Sequence, residues 1–488
     1  MSFVSELDPK PLWKHFDEIL AIPRPSTREE AMRRYVVGLA ERKGLRHRQD
    51  ATGNLVVEKP ASPGLEGAPA VVLQGHLDMV TEKNEGVSHD FDRDPIVPRR
   101  EDGWVKASGT TLGSDNGIGV AAMLAVLEAD DLVHGPLELL FTVDEETGLT
   151  GAVALDPQAI ALRGRELLNL DSEEENTVTI GCAGGAITRI VLPLEKAAVP
   201  QGAAVFDLRL SGLKGGHSGM EIHLQRGSSV QLLARALYAA GPLHLGAFQG
   251  GNKQNALARE ASARVVVPAD RREAFTAAIE KEIEAIRDEY RPVEPDLKFE
   301  IAAGDGSGSV WSEELGRKLL LLLNVLPHGV LAMSHDIEGL VETSVNLAAV
   351  AEGGNDVGVL LSTRSSIGSA LRATRRRLRA CAELVGAQVE ENEGYPAWKP
   401  NLESPLLRRF QGVHRRVQGR EPELKALHAG LECGVLGEKF PGMDTISFGP
   451  AIEGAHSPDE RVHVESVGRF YKLLTETLAE LAQTGINR

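Results

Sequence analysis

Amphipathic helical segments alternate with short apolar strands in the first third of this chain. The helical periodicity covers residues 11–21 and 29–43, and the clearest strands are residues 70–74, 138–143 and 167–170. Such alternation is typical of an α/β layer, in which helices cover the faces of a sheet. It predicts an α/β fold for this part of the chain.

The length of the chain indicates more than one domain. Single hydrophobic cores stop growing at about 250–300 residues, and this chain has 488, of which 42% are hydrophobic. The pattern changes between residues 185 and 397, where strand-then-helix units cover 263–286 and 356–385 around a glycine-rich loop at 304–308. Another strand at 445–448 and a closing helix at 464–481 follow. We expect a discontinuous domain of residues 1–184 and 398–488, with residues 185–397 inserted into it.

Charge and cysteine content narrow the class of protein. A net charge of −17 disfavours binding to nucleic acid and to anionic membrane surfaces. The three cysteines, Cys182, Cys381 and Cys433, are too few for a disulfide framework, which fits a reducing compartment. The N-terminus lacks a signal-peptide pattern, and no apolar run reaches the length of a membrane span. We therefore expect a cytoplasmic protein without nucleic-acid or membrane partners.

Polar clusters follow the predicted strands at the point where each strand ends. His76 and Asp78 follow the first strand, Asp144-Glu145-Glu146 the second, and Asp171 the third. Open α/β sheets bind ligands outside the carboxyl ends of their strands. These side chains are therefore expected to converge.

The spacing of His76 and Asp78 suits a metal ligand and a carboxylate that orients it. Residues two apart on an extended strand point to the same side, and a metal-bound imidazole usually donates its other N–H to a carboxylate or carbonyl. Taken alone, the pair also fits a structural histidine. Asp115, in the glycine-flanked run 113–117, can likewise bridge two cations or cap the predicted helix at 117–127.

The acidic run 144–146 predicts a division of roles. The three carboxylates of this run repel one another, and a cation or a proton relieves that repulsion. If the chain stays extended, Glu145 and Glu146 point in opposite directions, so that one ligates and the other acts as acid and base. A solvated acidic turn is the alternative.

The remaining candidates have rivals nearby. Asp171 is preferred to Glu173, Glu174 and Glu175 because it is nearest the strand end, and His456 is the late imidazole, with His428 and His463 as alternatives. Imidazole and carboxylate ligands without thiolate suit zinc, manganese or cobalt in a hydrolytic site. Together, the residues favour a two-metal centre with one shared carboxylate.

Five motifs together resemble the M20 metallopeptidase family, and the fit extends along nearly the whole chain. They are residues 75–78, 113–117, 145–148, 170–173 and 454–457. Within that family, residues 215–219, 254–256 and 428–434 resemble the bacterial aminoacyl-histidine dipeptidases. The resemblance implies an α/β fold, with a mixed-sheet catalytic domain of the di-zinc peptidase type and an inserted α+β lid domain that also serves dimerisation.

The resemblance also implies roles for individual residues. One metal would be held by His76, Asp115 and Asp171, and the other by Asp115, Glu146 and His456. Glu145 would be the base that activates a metal-bridged water, with Asp78 behind His76. The dipeptide would be bound by His217, Asn255 and Arg364 of the lid domain and by the Gly430 backbone. His217 could stabilise an oxyanion, and Arg364 offers a planar fork for a carboxylate.

The activity implied is hydrolysis of dipeptides with a free amino terminus, including Xaa-His, by a homodimer with two divalent metal ions per chain, Zn²⁺ or else Mn²⁺ or Co²⁺. Aspartate at position 171 is, in that family, more usual in enzymes that need a free substrate amino group.

Alternative functions fit parts of the same pattern. An N-acyl amino acid amidohydrolase or a tripeptide aminopeptidase would carry the same ligands. A metal-binding protein without activity is disfavoured because it needs no base such as Glu145. A nucleotide-binding protein is disfavoured because the sequence has no phosphate-binding loop.

Overall fold

The computed structural model, which describes residues 2–305 and 308–484, begins with helices and strands in alternation. After a 3₁₀ turn at Phe3–Glu6, the elements up to residue 182 are α1 Lys10–Leu20, α2 Glu30–Arg42, β1 Arg46–Gln49, β2 Leu55–Lys59, β3 Val71–His76, β4 Pro98–Glu101, β5 Trp104–Ala107, α3 Ser114–Glu128, β6 Leu137–Thr142, α4 Thr150–Ala154, α5 Pro157–Ile160, β7 Glu166–Asn169 and β8 Thr177–Cys182.

The middle of the chain is richer in strands. Its elements are β9 Gly184–Pro193, β10 Lys196–Ala198, β11 Ala204–Ser211, α6 Ser229–Ala239, β12 His244–Gly250, β13 Ala261–Val267, α7 Arg272–Tyr290, β14 Lys298–Ala303, β15 Ser309–Trp311, α8 Glu313–Val325, β16 Gly329–Met333, β17 Val341–Glu352, β18 Asp356–Ser365, α9 Gly368–Leu384 and β19 Gln388–Glu391, with 3₁₀ turns at Ile222–Leu224 and Ala269–Arg271. The loop predicted at 304–308 includes residues 306–307, which lie outside the described residues.

The C-terminal part returns to the alternating pattern. It contains α10 Pro405–Gln418, β20 Glu423–Leu427, α11 Glu432–Lys439, β21 Asp444–Ser447, β22 Ile452–Glu453, β23 Arg461–His463 and α12 Val464–Thr484. The predicted α/β fold class is confirmed. None of the helices in the described ranges is long and apolar enough to cross a membrane.

The chain divides into two units. The first comprises Met1–Cys182, Pro400–Ala426 and Leu431–Arg488, and the second comprises Ala183–Lys399 with Leu427–Gly430. The second unit thus includes residues 183–184 and 398–399, at the predicted boundaries, and residues 427–430, all of which the prediction placed in the discontinuous domain. Residues 427–430 pair with the start of this unit, since the Ala183 amide donates to the Leu427 and Ala429 carbonyls at 2.9 and 3.1 Å.

A mixed eight-stranded sheet forms the centre of the first unit, in the order β1-β2-β6-β3-β7-β21-β8-β20. Strands β6, β3, β7 and β21 run parallel to one another. Every residue of β3 and β6 is buried, as expected for central parallel strands covered on both faces. Burial of each large aliphatic side chain there contributes about 1.5–3 kcal/mol.

Helix α3 is apolar on all sides and lies against β3 and α1. Its residues Ile118 to Leu127 are all buried, which explains why the helix has no polar face. The first unit also contains a four-stranded sheet with the order β22-β23-β5-β4.

The second unit is built on a nine-stranded sheet. Eight of its strands have the order β14-β11-β13-β12-β17-β18-β9-β19, and the ninth, β16, pairs with β17. Helices α6, α7, α8 and α9 contribute apolar residues to one continuous core with this sheet. The two predicted strand-then-helix units correspond to β13 with α7 and to β18 with α9.

Candidate metal centre

The candidate site of the first unit lies at the carboxyl ends of its parallel strands. His76 is the last residue of β3, the run 144–146 follows β6, and Asp171 follows β7. Because β6, β3 and β7 are adjacent and parallel, these residues lie at one edge of the sheet. The side chains that follow these strands converge in the structure, as the sequence predicted.

Asp115 joins two groups of potential ligands. Its Oδ1 lies 3.0 Å from His76 Nε2, and its Oδ2 lies 3.2 Å from His456 Nε2. His76 Nε2 is also 3.3 Å from Asp171 Oδ1, and His456 Nε2 is 3.1 Å from Glu146 Oε2. The sets His76-Asp115-Asp171 and Asp115-Glu146-His456 each have ligand atoms within 4.8 Å of one another. One carboxylate therefore faces both sets.

Glu145 and Glu146 lie on the same side of the chain, contrary to the extended conformation considered from the sequence. Their carboxylates and the His76 imidazole lie within 4.8 Å of one another. The chain turns at Asp144, whose φ is 50°, and the amides of Gly148 and Leu149 close the turn on the Glu145 carbonyl. A strand would have separated the two glutamates, whereas this turn brings both to the site.

Asp78 lies behind His76. Its Oδ1 is 3.3 Å from His76 Nδ1, and it accepts hydrogen bonds from the amides of Glu145 and Glu146 at 3.1 and 3.2 Å and from Ser26 Oγ at 2.8 Å. One buried carboxylate thus orients the imidazole and the turn that carries both glutamates.

Glu29, Asp78 and Asp144 form another acidic group beside the site, but its oxygens already accept hydrogen bonds. Glu29 Oε1 accepts from the amides of Thr27 and Asp144 at 2.8 and 3.0 Å. The side chain of Asp144 accepts from the hydroxyls of Thr147 and Thr150. This acidic group therefore supports the surrounding loops through hydrogen bonds.

The two ligand sets, in contrast, contain buried oxygens without donors. Glu146 Oε1 and Asp171 Oδ1 have no hydrogen-bond partner among the described residues. A buried carboxylate oxygen without a donor is costly, and a cation relieves that cost. Two imidazoles with carboxylates and no thiolate match the ligand preferences of divalent zinc, manganese and cobalt. The residues present therefore fit a pair of divalent cations.

Burial and charge crowding shift the pKa values at the site. Burial raises the pKa of Glu145 well above its usual value, and the neighbouring carboxylates Asp171, Glu432 and Glu146 add to the rise. Burial also raises the pKa of Asp171 to about 7. Hydrogen bonds to Asp115 and Glu146 raise the pKa of His456 to about 11. Burial and like charge thus disfavour the ionised forms of Glu145 and Asp171, whereas a bound cation would favour them.

Burial tends to raise the pKa of Asp115, but hydrogen bonds from His456 and His76 outweigh burial, and the pKa falls well below its ordinary value. The carboxylate that faces both ligand sets is therefore ionised. An ionised carboxylate is the form that ligates metal.

Arg24 and Glu460 are parts of the site that the sequence did not reveal. Arg24, 2% exposed, donates to the carbonyls of Leu77, Asp78 and Gly113. It thereby joins the loop after β3 to the start of α3. Its position in a short loop, without a surrounding motif, gave no signal of this role.

The carboxylate of Glu460 caps the start of α3. It accepts from the amides of Leu112, Gly113 and Ser114 at 2.7, 2.9 and 2.7 Å, from Ser114 Oγ at 2.6 Å and from the Asp115 amide at 3.3 Å. Of the two roles considered for Asp115, bridging ligand or cap of this helix, the structure favours the first, since its carboxylate faces His76 and His456. Asp115 and Asn116 have non-helical φ/ψ, and Asn116 Nδ2 instead donates to the Leu170 carbonyl at 2.7 Å.

The rival candidates have other partners. His428 Nε2 pairs with Ser344 Oγ at 2.7 Å in the second unit, and the His463 ring packs 4.9 Å from that of Trp104. Glu174 pairs with Lys425 and Glu175 with Arg469. Glu173 is half-buried, and burial with the charges of Asp115 and Asp171 raises its pKa to about 8. None of these residues belongs to a ligand group in the described parts of the chain.

The four predicted substrate-binding residues all lie in the second unit. His217 Nδ1 accepts the amides of Gly219 and Met220 at 3.3 and 3.0 Å, which leaves Nε2 to carry the proton of the neutral ring. Burial and the charge of Arg364 lower the pKa of His217. His217 is therefore a neutral Nε2–H donor.

Gly219 allows close packing between His217 and Arg364. A Cβ on Gly219 would lie 2.3 Å from the His428 carbonyl oxygen, 3.1 Å from His217 Cε1 and 3.2 Å from Arg364 Nε. Arg364 is 8% exposed and donates from Nη1 to Tyr395 Oη at 2.8 Å. Asn255 is exposed, and its carbonyl accepts the Ser218 amide at 2.8 Å. Gly430 follows His428 by two residues and is half-buried.

Comparisons with known proteins agree over nearly the full length of the chain. Residues 72–480 match peptidase family M20/M25/M40. The chain is 42% identical over 484 residues, 99% of both chains, to the cytosol non-specific dipeptidase of Escherichia coli K12. It superposes on aminoacylhistidine dipeptidase from Vibrio alginolyticus with a TM-score of 0.90 and 41% identity, covering 98% of each chain.

A more distant structure shares the fold. The aminopeptidase PepT of Bacillus cereus has a TM-score of 0.58 at 17% identity, with 98% of this chain and 99% of that chain covered. The first two relatives cover 99% and 98% of this chain at 42% and 41% identity. The chain belongs to peptidase family M20/M25/M40.

Proposed function

We propose that the protein is a metal-dependent dipeptidase that hydrolyses dipeptides with a free amino terminus, including Xaa-His. The observation that carries this proposal is the double ligand set around Asp115, with the carboxylate of Glu145 beside it. The resemblance to the E. coli and Vibrio dipeptidases over at least 98% of the chain supports the substrate class.

His76, Asp115 and Asp171 would hold one divalent cation, and Asp115, Glu146 and His456 the other. Two such cations, when bound, lower the pKa of a water and polarise the scissile carbonyl. We propose zinc, with manganese or cobalt as alternatives of the same ligand preference.

Glu145 is the general base in this proposal. It accepts the proton of the attacking water and returns it to the leaving amine, the role of a positioned carboxylate in hydrolysis. Asp78 orients His76 and, through two amides, the turn that carries Glu145. A fixed base close to its reaction partner needs little reorganisation in the transition state.

The second unit supplies the groups for the dipeptide in this proposal. The neutral His217 donates its Nε2–H to the developing oxyanion, as a preorganised donor does. Arg364 binds the substrate carboxylate, while Asn255 and the Gly430 backbone bind the remaining polar groups. We further propose that this unit acts as a lid and forms the dimer surface, and that the protein is cytoplasmic like its E. coli relative, which is named for the cytosol.

A panel of dipeptides tests the proposal directly. Protein stripped with a chelator is expected to be inactive, and reloading with zinc or manganese should restore cleavage of free Xaa-His and other dipeptides but not of their N-acetylated forms. Product release is measured by chromatography. Cleavage of the acetylated forms would instead identify an amidohydrolase, preference for tripeptides a tripeptide aminopeptidase, and inactivity under every metal a binding protein.

Arg364→Ala is expected to raise KM by about ten-fold or more for dipeptides with a free carboxylate, because a hydrogen bond to a charged group contributes about 1.5–3 kcal/mol. Dipeptide amides, which lack that charge, should show little change. Steady-state kinetics on matched acid and amide substrates measure the difference. Arg376→Ala is the control, since Arg376 is exposed on α9. An equal effect on both substrate forms would remove Arg364 from the carboxylate site.

A further inference from the structure

Glu432 is a buried carboxylate to which the proposed reaction gives no role. It is the first residue of α11 and is 1% exposed. Its Oε2 accepts from Gln74 Nε2 at 2.6 Å and from Thr142 Oγ1 at 2.7 Å, whereas Oε1 has no hydrogen-bond partner among the described residues. Gln74 and Thr142 lie on β3 and β6, the strands that lead to His76 and to Glu145. A carboxylate buried at this place in the core is unfavourable unless hydrogen bonds or a charge partner compensate it.

A relay of hydrogen bonds runs in one direction from Glu432 through the side chains of Gln74 and Asn169 to the Asp171 amide. Because Gln74 turns its NH₂ group to Glu432, its Oε1 is left to accept from Asn169 Nδ2, at 2.5 Å. Asn169 Oδ1 in turn accepts from Ser447 Oγ and from the Asp171 amide, the latter at 3.3 Å. An amide side chain has separate donor and acceptor ends. The Glu432 carboxylate, as an acceptor, therefore fixes the orientation of Gln74 and then of Asn169, whose Oδ1 is left to accept from the Asp171 amide.

The side chains of this relay are fully buried. Gln74, Thr142, Asn169 and Ser447 each have no exposed surface. Water therefore does not substitute for a lost partner within it, and a reversed amide would place two donors or two acceptors against each other. The orientation of the whole relay depends on its terminal carboxylate.

We propose that Glu432 is a positioning residue for Asp171, acting through Gln74 and Asn169 to set the affinity of the metal position formed by His76, Asp115 and Asp171. This inference rests on the proposed metal centre. It assigns Glu432 no contact with substrate. Partners behind the ligands of a metal site typically change affinity by about 10–100-fold when they are removed.

Glu432→Met tests the relay because it removes the terminal acceptor with little change in volume. The Gln74 NH₂ group then no longer faces a carboxylate, so that the direction of the relay, and with it the acceptor at the Asp171 amide, is no longer fixed. Stepwise zinc titration of the stripped protein against a chromophoric chelator measures both equivalents. We expect about 10–100-fold weaker binding of one equivalent and unchanged binding of the other. Glu438→Met, on the exposed side of the same helix, should leave both unchanged.

Two backgrounds identify the weakened position. In Asp171→Ala, which lacks a ligand of that position, Glu432→Met should have no further effect on the zinc that remains. In His456→Ala, which lacks a ligand of the other, it should weaken the remaining zinc. The opposite pattern, or equal weakening of both equivalents in the otherwise unchanged protein, would overturn the inference.

Circular dichroism and thermal melting establish that each variant is folded. If Glu432→Met does not fold, Gln74→Met interrupts the relay at its second member and should produce the same selective loss, while equal retention of both zinc equivalents in it rejects the inference. These titrations need no activity. Wild-type protein that binds two zinc ions without cleaving dipeptides would refute the proposed function alone, whereas an active enzyme with unchanged zinc affinities in Glu432→Met would refute this inference alone.

Discussion

Glu145→Gln is expected to lower kcat by about 10²–10⁴-fold while the metal content stays near that of the wild type. Glutamine has nearly the volume of glutamate but cannot accept a proton from water. The backbone N–H of residue 145, which donates to Asp78 at 3.1 Å, is unaffected by the substitution, so that the turn after β6 keeps its support. Steady-state kinetics and elemental analysis of the same preparation measure the two quantities.

Glu146→Gln is the matched comparison for this variant. The two glutamates are neighbours on one turn, but only Glu146 contacts His456, at 3.1 Å. Its replacement should therefore lower the occupancy of one metal position in addition to the rate. If Glu145→Gln loses metal and Glu146→Gln retains it, the assignment of base and ligand is reversed.

Glu460→Ala is expected to destabilise the first unit by at least about 3 kcal/mol, because a buried donor left without an acceptor costs about 1–3 kcal/mol. The substitution removes the acceptor for the amides of Leu112, Gly113 and Ser114. It also frees the segment that carries Asp115, so zinc should be lost together with stability. Urea unfolding of the stripped and the zinc-loaded protein measures both effects.

Glu465→Ala provides the control, since Glu465 is exposed and pairs with Arg469 at 3.5 Å on the surface of α12. Surface ion pairs contribute about 0–1 kcal/mol. A Glu460→Ala protein as stable as Glu465→Ala, with two zinc ions bound, would show that backbone geometry alone holds the Asp115 loop.

The strands that lead to the site could be predicted because they are local features. The predicted strand at 70–74 corresponds to β3, Val71–His76, and that at 167–170 to β7, Glu166–Asn169. Apolar runs that end in acidic residues or histidine specify both the strand and its functional end. The grouping of His76, Asp115, Glu146, Asp171 and His456 could therefore be anticipated from the sequence and its family resemblance.

The supports of the site could not be predicted because their contacts are distant in sequence. Arg24 contacts the Gly113 carbonyl, and Glu432 contacts Gln74. No local pattern encodes such pairs. The left-handed turn at Asp144 and the capping of α3 by Glu460 are further cases in which tertiary contacts override the local expectation.

The position of β21 in the central sheet has a consequence for biosynthesis. This strand, Asp444–Ser447, pairs with β7 on one side and β8 on the other, although those strands precede it by more than 260 residues. On the ribosome, β7 and β8 leave the exit tunnel long before the strand that separates them, whereas residues 183–399 of the second unit emerge as one uninterrupted stretch. Domains tend to fold as units during synthesis. The nascent first unit must therefore remain open in the middle of its sheet, with an incomplete ligand set, until nearly the whole chain has been made.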